Sequence, residues 1–355
     1  MIKKRDINFD VLKIFAMMLI ISGHYFTHTN LSKSDPLSQI GVVISIYKPI
    51  YVLGVNIFIL ITGYFQSENL FKKEKLFRIW KDVVIWSIIC SIVGCIYQIC
   101  YSDKISFVLL IKSFFPVFTR EYWFISAYIV LYIISPYINK MIKLCTKKEI
   151  ENLLFIMFVF FSLWPSVYSN SLDNTGGFGI IWFVVLYITG AYIRKFPIHI
   201  NCKICFLGLI LYEILMISIK YVSTIFLTNY VSGIDVMVNA VMYKYNFPLV
   251  YIASIFIFVL VSNFPINIFK NERIILSLSV ITLDIYVIHE NPFIREILWN
   301  NIIKIELIKQ NIFACIFFAV VITAFVYALG YLLVELKRKT IDKLVFLRLS
   351  TKGRD

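Results

Sequence analysis

Three ionisable side chains, those of Asp10, Lys13 and His24, lie within one apolar run near the N-terminus. A charged side chain costs about 2.5–3.5 kcal/mol to place at the centre of a membrane helix, so such residues are rare and commonly functional. On a helix, the eleven positions from Lys13 to His24 turn through about 1100°, which is three full turns and about 20°. Both side chains are therefore expected on one stripe, roughly 16 Å apart along the helix axis. Asp10 lies three residues before Lys13 and can pair with it.

This stripe combines a basic group near one end of the helix with an imidazole three turns deeper. Such an arrangement suits a long substrate with an anionic head and a reactive far end, as in acyl-CoA. A neutral His24 could then remove the proton of an acceptor hydroxyl. The alternative is that His24 only forms a hydrogen bond with a neighbouring helix, and helical periodicity does not distinguish the two.

The rest of the chain predicts the membrane helices that would position this stripe. Hydrophobic residues make up 60% of the 355-residue sequence and charged residues 16%, and the mean hydropathy is +0.81. A soluble domain has roughly 45–50% apolar residues, and a bilayer crossing takes about 20 of them in succession. The sequence therefore predicts an all-α, polytopic transmembrane helix bundle of about ten helices. Its ten expected spans are 9–28, 44–66, 83–101, 122–138, 151–168, 178–194, 204–225, 247–264, 274–292 and 311–334, with 102–121 as a half-inserted or interfacial segment.

The distribution of basic residues predicts the orientation. The formal net charge is +14, and Lys and Arg concentrate in alternate short loops, as expected where cytoplasmic loops retain positive charge. This pattern places both termini in the cytoplasm, and it argues against nucleic-acid binding, which needs basic residues gathered on one face. We expect a single transmembrane domain over residues 1–340 and a basic cytoplasmic tail at 341–355. The Lys- and Ile-rich composition is typical of an AT-rich bacterial genome, so a bacterial plasma membrane is the expected location.

No metal site is predicted from the sequence. His28 follows His24 by four residues, a spacing that could hold a metal on a helix, but no third ligand lies nearby in the sequence. Cys202 and Cys205 could form half of a zinc site, but no second pair accompanies them. His28 is therefore interpreted as a residue of the outer interface.

Several motifs resemble, in order and spacing, those of the acyltransferase 3 family of membrane acyltransferases. In that family an Arg, an Asp and a Leu followed by a basic residue precede a His, and the basic residue lies eleven positions before it. Arg5, Asp10, Leu12, Lys13 and His24 match this pattern. The later matches, in chain order, are Phe58, Thr62–Phe65, Arg78 with Lys81, Tyr122–Phe124, Tyr128, Pro136 and Ile285–His289.

Three positions depart from the family pattern. Lys81 stands where Arg is usual, which keeps the charge but loses the bidentate geometry of a guanidinium. Thr62 replaces the usual Ser, and Asp284 stands where a small residue is common. Of the three departures, the lysine at position 81 is the one that weakens an expectation, because a phosphate contact there lacks the bidentate geometry.

The resemblance implies a membrane-bound O-acyltransferase. Its expected reaction moves an acetyl group from cytoplasmic acetyl-CoA, a co-substrate rather than a permanently bound cofactor, to a hydroxyl of a cell-surface polysaccharide or its lipid-linked precursor. The alternative function is a polysaccharide flippase or polymerase, which would share the helix number and the basic cytoplasmic side. A transporter would show repeated halves or paired broken helices, and neither is visible in the sequence.

The resemblance also implies roles for individual residues. His24 would be catalytic, and four basic residues would bind the CoA moiety: Arg5, Lys13, Arg78 and Lys81. The alternative for Arg78 and Lys81 is that they only set the membrane topology.

Four further residues are expected to support the site. Asp10 would pair with Lys13. His289 and Glu290, at the end of the ninth span, would orient an acceptor sugar or support His24, or would form a solvated helix end. Trp123, at an outer boundary, would stack on a sugar or belong to the aromatic belt of the membrane interface.

Overall fold

The computed structural model describes residues 6–101, 106–168, 171–231, 233–263, 271–302 and 312–342. The fold is 83% helical, and the described residues include no strand. The α-helices among these residues are α1 (Ile7–His28), α2 (Gln39–Gln66), α3 (Lys73–Tyr101), α4 (Phe107–Phe114), α5 (Trp123–Leu144), α6 (Lys147–Phe158), α7 (Trp164–Val167), α8 (Ile180–Lys195), α9 (Cys202–Tyr221), α10 (Ile234–Met242), α11 (Pro248–Asn263), α12 (Glu272–Val280), α13 (Thr282–Glu290), α14 (Pro292–Glu296) and α15 (Ile312–Lys337).

The predicted all-helical polytopic bundle is confirmed, and each of the ten expected spans coincides with helix. Within the described ranges, seven helices are long and apolar enough to cross a membrane. Helices α6 and α7 form one of them, joined by a π-helical turn at Val159–Leu163. The remaining three spans correspond to α8, to α11 and to the pair α12–α13. Helices α8 and α11 have 16 residues each, or about 24 Å of length, which is less than the roughly 30 Å of a hydrocarbon core.

Helix α1 lies at the centre of the bundle. It packs against α2 along one side and against α12, α13 and α15 along others. Helix α2 approaches closely because Gly54 has no side chain: a Cβ added there would lie 2.8 Å from the backbone oxygen of Ala16. Small residues commonly allow such contact between membrane helices. The stripe predicted on α1 is therefore surrounded by other helices.

Outer helices carry apolar side chains on surfaces that no other described element covers. Ile96 of α3, Phe155 of α6 and Leu211 of α9 are each more than half exposed. In a membrane these surfaces face lipid tails, which are as apolar as the side chains themselves. The exposed apolar positions thus agree with lipid as the surrounding solvent.

A polar network joins α3, α13 and α15, and it accounts for Asp284. The indole nitrogen Nε1 of Trp86 donates to Asp284 Oδ1 at 2.8 Å. Beside it, Lys337 Nζ forms an ion pair with Asp82 Oδ1 at 2.6 Å and lies 5.8 Å from the centroid of the Trp86 ring. Asp284 therefore replaces the usual small residue as the acceptor in an interhelical contact.

Candidate active site

The ionisable stripe of α1 faces protein. Asp10 is buried, and its Oδ1 accepts a hydrogen bond from the Ser279 hydroxyl of α12 at 2.6 Å. Lys13 is half-buried, with its Nζ 5.8 Å from the centroid of the Phe58 ring. Phe15, on the opposite side of the helix, is exposed. The ionisable side chains of α1 therefore point away from the lipid-facing surface, as expected for a functional stripe inside a membrane domain.

Three of the four histidines in the chain converge at the end of this stripe. His24 and His28 lie one turn apart on α1, and His289 and Glu290 are the last two residues of α13. His24 Nδ1 lies 2.9 Å from His289 Nε2 and 3.1 Å from Glu290 Oε2. His28 Nε2 lies 3.0 Å from the same Glu290 oxygen. These four residues form the histidine–glutamate cluster.

The hydrogen bonds determine where the protons of the neutral rings lie. His289 Nδ1 is 2.6 Å from the carbonyl oxygen of Ile285, which can only accept, so Nδ1 carries the proton. The Nε2 atom of a neutral His289 is then an acceptor. His24 Nδ1 must donate towards it and towards Glu290, which leaves the lone pair of His24 on Nε2. Among the described residues, that Nε2 atom has no hydrogen-bond partner.

The loop between α13 and α14 holds Glu290 in place. Asn291 is buried; its Oδ1 accepts from the backbone nitrogens of Phe293 at 3.0 Å and Ile294 at 3.4 Å, and its Nδ2 donates to the Tyr122 hydroxyl at 2.8 Å. The second oxygen of Glu290 accepts from Arg295 at 3.2 Å. The carboxylate is therefore bound from three directions, which fixes its position next to His24.

A partly open cavity of about 170 Å³ adjoins His24. It lies between α1, α2 and the two segments that precede α8 and α11. The lining is mainly aromatic and aliphatic, with one lysine; its members are Ile20, Gly23, His24, Thr27, Lys48, Tyr51, Val52, Val55, Phe178, Tyr243 and Tyr245. Aromatic walls with few polar groups are typical of ligand sites.

Two phenols of the lining lie outside the membrane spans. Burial raises the pKa of Tyr243 and of Tyr245 above the usual value for a phenol. Both hydroxyls therefore stay protonated near neutral pH and can donate hydrogen bonds to a ligand. Trp123 stands behind them: its ring stacks on Tyr245 with centroids 5.7 Å apart and contacts Phe178 at 4.6 Å.

The sequence profile of the acyltransferase 3 family, described as an acyltransferase domain, matches residues 6–333, nearly the whole chain. The chain belongs to the acyltransferase 3 family. No curated protein and no solved structure matches the chain. The family assignment made from the sequence motifs is thus confirmed, and the protein is a membrane acyltransferase.

The structure brings some of the predicted site residues of this acyltransferase together and keeps others apart. His24, His289 and Glu290 are in contact, so the interpretation of His289 as a solvated helix end is wrong: it is only 1% exposed. Trp123 supports the cavity from behind. The basic residues lie elsewhere: Arg78 is exposed and Lys81 half-buried on α3, Lys13 lies three turns from His24, and Arg5 lies outside the described residues.

Two members of the candidate site were not predicted from the sequence. His28 was interpreted as an interface residue, but it forms a hydrogen bond with Glu290, its partner 262 positions away. Lys48 was not singled out, because one lysine in an apolar run has no local pattern. The turn that positions Glu290 did have a signal: Asn followed by Pro at 291–292 marks a break between helices.

The same cluster has a composition that could hold a metal ion. His24, His28 and Glu290 each offer one ligand atom, and these atoms lie within 4.8 Å of one another. Two histidines and a carboxylate are a known ligand set for zinc. The third ligand, which the sequence analysis did not find, comes from α13. The same Glu290 oxygen lies 3.1 Å from His24 Nδ1 and 3.0 Å from His28 Nε2.

Proposed function

We propose that this acyltransferase moves an acetyl group from cytoplasmic acetyl-CoA to a hydroxyl of a cell-surface polysaccharide or of its lipid-linked precursor. The observation that carries the proposal is the state of His24: its Nδ1 is held by His289 and Glu290, while its Nε2 has no partner among the described residues and the side chain lines a cavity. An imidazole oriented in this way is prepared to accept a proton or an acyl group.

The proposed chemistry needs only this imidazole and the two substrates. In one route, Nε2 removes the proton of the acceptor hydroxyl, the oxygen attacks the thioester carbonyl, and CoA leaves as a thiol after receiving the proton. In the other, Nε2 attacks the thioester carbonyl and CoA leaves as a thiolate. The acceptor oxygen then attacks the acyl-imidazolium, the neutral imidazole is released, and the proton of the hydroxyl ends on the CoA thiolate. The Glu290 carboxylate would stabilise the positive charge that either route places on the ring.

The donor side of the proposal rests on charge. Lys13 lies on the same helix face as His24, towards the N-terminal end of α1, and Arg78 and Lys81 lie near the start of α3. These cations would attract the phosphates of CoA from the cytoplasm, while the thioester reaches His24. A Lys13→Ala enzyme should show a raised KM for acetyl-CoA, and unchanged dependence on acetyl-CoA would contradict this role.

The test of the proposal is analysis of the surface glycan by NMR or mass spectrometry in cells that carry the His24→Ala variant. We expect the ester groups to be lost, because removal of a general base lowers a rate by about 10²–10⁴-fold. Exposed His199 provides the matched control, and His199→Ala should leave esterification intact. Both variants must reach the membrane in parental amounts.

The same measurement distinguishes the proposed acyltransferase from the alternative function, a polysaccharide flippase or polymerase. Loss of a flippase or polymerase removes or shortens the polymer, whereas loss of an acyltransferase keeps the polymer length and removes its esters. Unchanged esters in the His24→Ala strain would overturn the assignment of His24.

A further inference from the structure

Lys48 is an unusual residue in the cavity beside His24. It lies on α2, and its Nζ stands 4.2 Å from the centroid of the Tyr243 ring. Within the described parts of the chain, no carboxylate lies within ion-pair distance of this Nζ. Lysines inside membrane bundles commonly pair with acidic groups, as Lys337 does here with Asp82 at 2.6 Å. Lys48 therefore has an aromatic partner and no anionic one.

Two carboxylates, those of Glu290 and Glu213, act on residues of this cavity, and neither forms an ion pair with Lys48. Glu290 is bound by His24, His28 and Arg295. Glu213 of α9 acts electrostatically on Tyr243 but forms no ion pair with Lys48. A second cation, Lys220, acts electrostatically on Lys48 and donates to Asn239 at 2.7 Å. Lys48 is therefore the cation of the cavity lining, and neither of these two carboxylates is its ion-pair partner.

The geometry points to an acceptor saccharide that carries a negative charge, a carboxylate or a phosphate, bound by Lys48. This inference rests on the proposed function, since it concerns the acceptor of the same reaction. A charged group on the acceptor would supply the anion that Lys48 lacks, and hydrogen bonds to charged groups are stronger than those between neutral groups.

The positions of the neighbouring side chains support a saccharide as the carrier of that charge. Tyr51 lies one turn after Lys48 on α2, and its ring packs against Gly23, next to His24. Phe178, Tyr243 and Tyr245 complete an aromatic wall with phenol donors. A molecule whose anion meets Lys48 would thus lie along Tyr51 with its ring hydroxyls near His24. Binding of the anion by Lys48 would hold a hydroxyl of the acceptor next to His24, and this proximity would increase the rate of acyl transfer.

The experiment compares acceptors that differ only in charge. The full-length protein in lipid nanodiscs receives acetyl-CoA and one of three oligosaccharides: one with a uronic acid, its carboxyl-reduced neutral counterpart, and the neutral sugar linked to a phosphate. We expect kcat/KM to be higher for an anionic acceptor by about tenfold or more, since a hydrogen bond to a charged group contributes that much discrimination. Preference for the uronic acid identifies a sugar carboxylate, and preference for the third acceptor identifies a phosphate of the carrier.

Variants of Lys48 then assign the preference. Lys48→Gln should reduce the ratio of anionic to neutral kcat/KM to about one, and Lys48→Arg, which keeps the charge, should retain most of it. The matched control is Lys33→Gln, an exposed lysine beyond the end of α1, which should keep the full ratio.

Two negative results have different meanings. Equal rates on charged and neutral acceptors, or a Lys48→Gln enzyme that keeps the parental ratio, would refute the anion site and leave the acyltransferase proposal intact. Failure to acetylate any of the three acceptors, with no consumption of acetyl-CoA, would refute the proposed function and this inference with it.

Discussion

His24 Nδ1 lies 2.9 Å from His289 Nε2, although the two residues are 265 positions apart in the chain. The contact joins the first membrane helix to the ninth predicted span. Because His289 Nδ1 donates to the carbonyl oxygen of Ile285 within its own helix, the orientation of His289 is fixed by the backbone of α13. The ring nitrogen that the proposed mechanism uses is therefore selected by a different helix, and on that proposal small displacements of α13 should affect the chemistry at His24.

Glu290→Gln should lower kcat without preventing folding. The amide keeps the size of the side chain and an acceptor oxygen, but it removes the negative charge beside the ring that becomes positive during the reaction. We expect a decrease of kcat by roughly 10- to 100-fold, equivalent to about 1.4–2.7 kcal/mol of transition-state stabilisation. The measurement is steady-state acetyl transfer by the purified enzyme, with kcat and KM determined separately.

Glu296 provides the control for this substitution. It lies on the adjacent helix α14 and is exposed, so Glu296→Gln removes the same charge without touching the cluster. It should have parental kcat. Equal kcat for the parent and the Glu290→Gln enzyme would show that the carboxylate contributes nothing to the reaction.

Asn291→Ala should lower both stability and activity. The substitution removes the N-cap of α14, a loss worth about 1 kcal/mol, and leaves the Tyr122 hydroxyl without the amide that donates to it. Since Glu290 immediately precedes this cap, its carboxylate should lose its fixed position. Thermal unfolding in detergent at a fixed scan rate and acetyl transfer measure the two effects.

Tyr122→Phe separates the cap from the interhelical hydrogen bond. The substitution deletes only the hydroxyl that accepts a hydrogen bond from Asn291 Nδ2, and both hydrogen bonds from Asn291 Oδ1 to the backbone stay intact. We expect a smaller loss of activity than for Asn291→Ala. Identical losses in the two variants would mean that the hydrogen bond to Tyr122, rather than the cap, positions Glu290.

The fold was predictable from local sequence to a greater extent than the site. Ten apolar segments identified ten helical regions. Backbone groups inside a membrane must be hydrogen-bonded within their own helix, so each crossing requires a continuous apolar segment that can be recognised in the sequence. Periodicity also predicted the common face of Lys13 and His24. Helical periodicity does not indicate which helix packs against that stripe. The contacts of His28 and Lys48 depend on partners far away in the chain, and they were therefore not predicted.

Gly23→Ala should impair use of the acceptor more than the chemical step. A Cβ at this position would lie 2.8 Å from Tyr51 Cδ2 and 3.3 Å from its Cε2, so the ring must move. Tyr51 lines the cavity and stacks on Phe26 with centroids 5.9 Å apart, which restricts where it can go. We expect a raised KM for the acceptor and a smaller change in kcat.

A double substitution tests the proposed steric clash between a Cβ at position 23 and the Tyr51 ring. In Gly23→Ala with Tyr51→Ala, the added methyl group has no ring to displace, so the penalty of the Gly23 substitution should be much smaller than in the parental background. Contacting residues typically show coupling of about 0.5–3 kcal/mol in such a cycle. Additive effects on kcat/KM would contradict a direct contact between the two positions.

Lys337→Ala should destabilise the bundle far more than Arg338→Ala, although the two residues are adjacent and both form ion pairs. Lys337 is only 5% exposed, and its removal leaves Asp82 without its cation, close to Asp284 in the interior of the membrane domain. Loss of one partner of a fully buried pair costs about 3–5 kcal/mol, and we expect a smaller loss here because 29% of the Asp82 side chain is exposed. Arg338 pairs with Glu335 near the surface, with 39% and 32% of the two side chains exposed, and such pairs contribute about 0–1 kcal/mol.

Thermal unfolding of the two purified variants in the same detergent gives the comparison. Equal unfolding temperatures would show that the network around Asp284 is solvated and does not hold α3, α13 and α15 together.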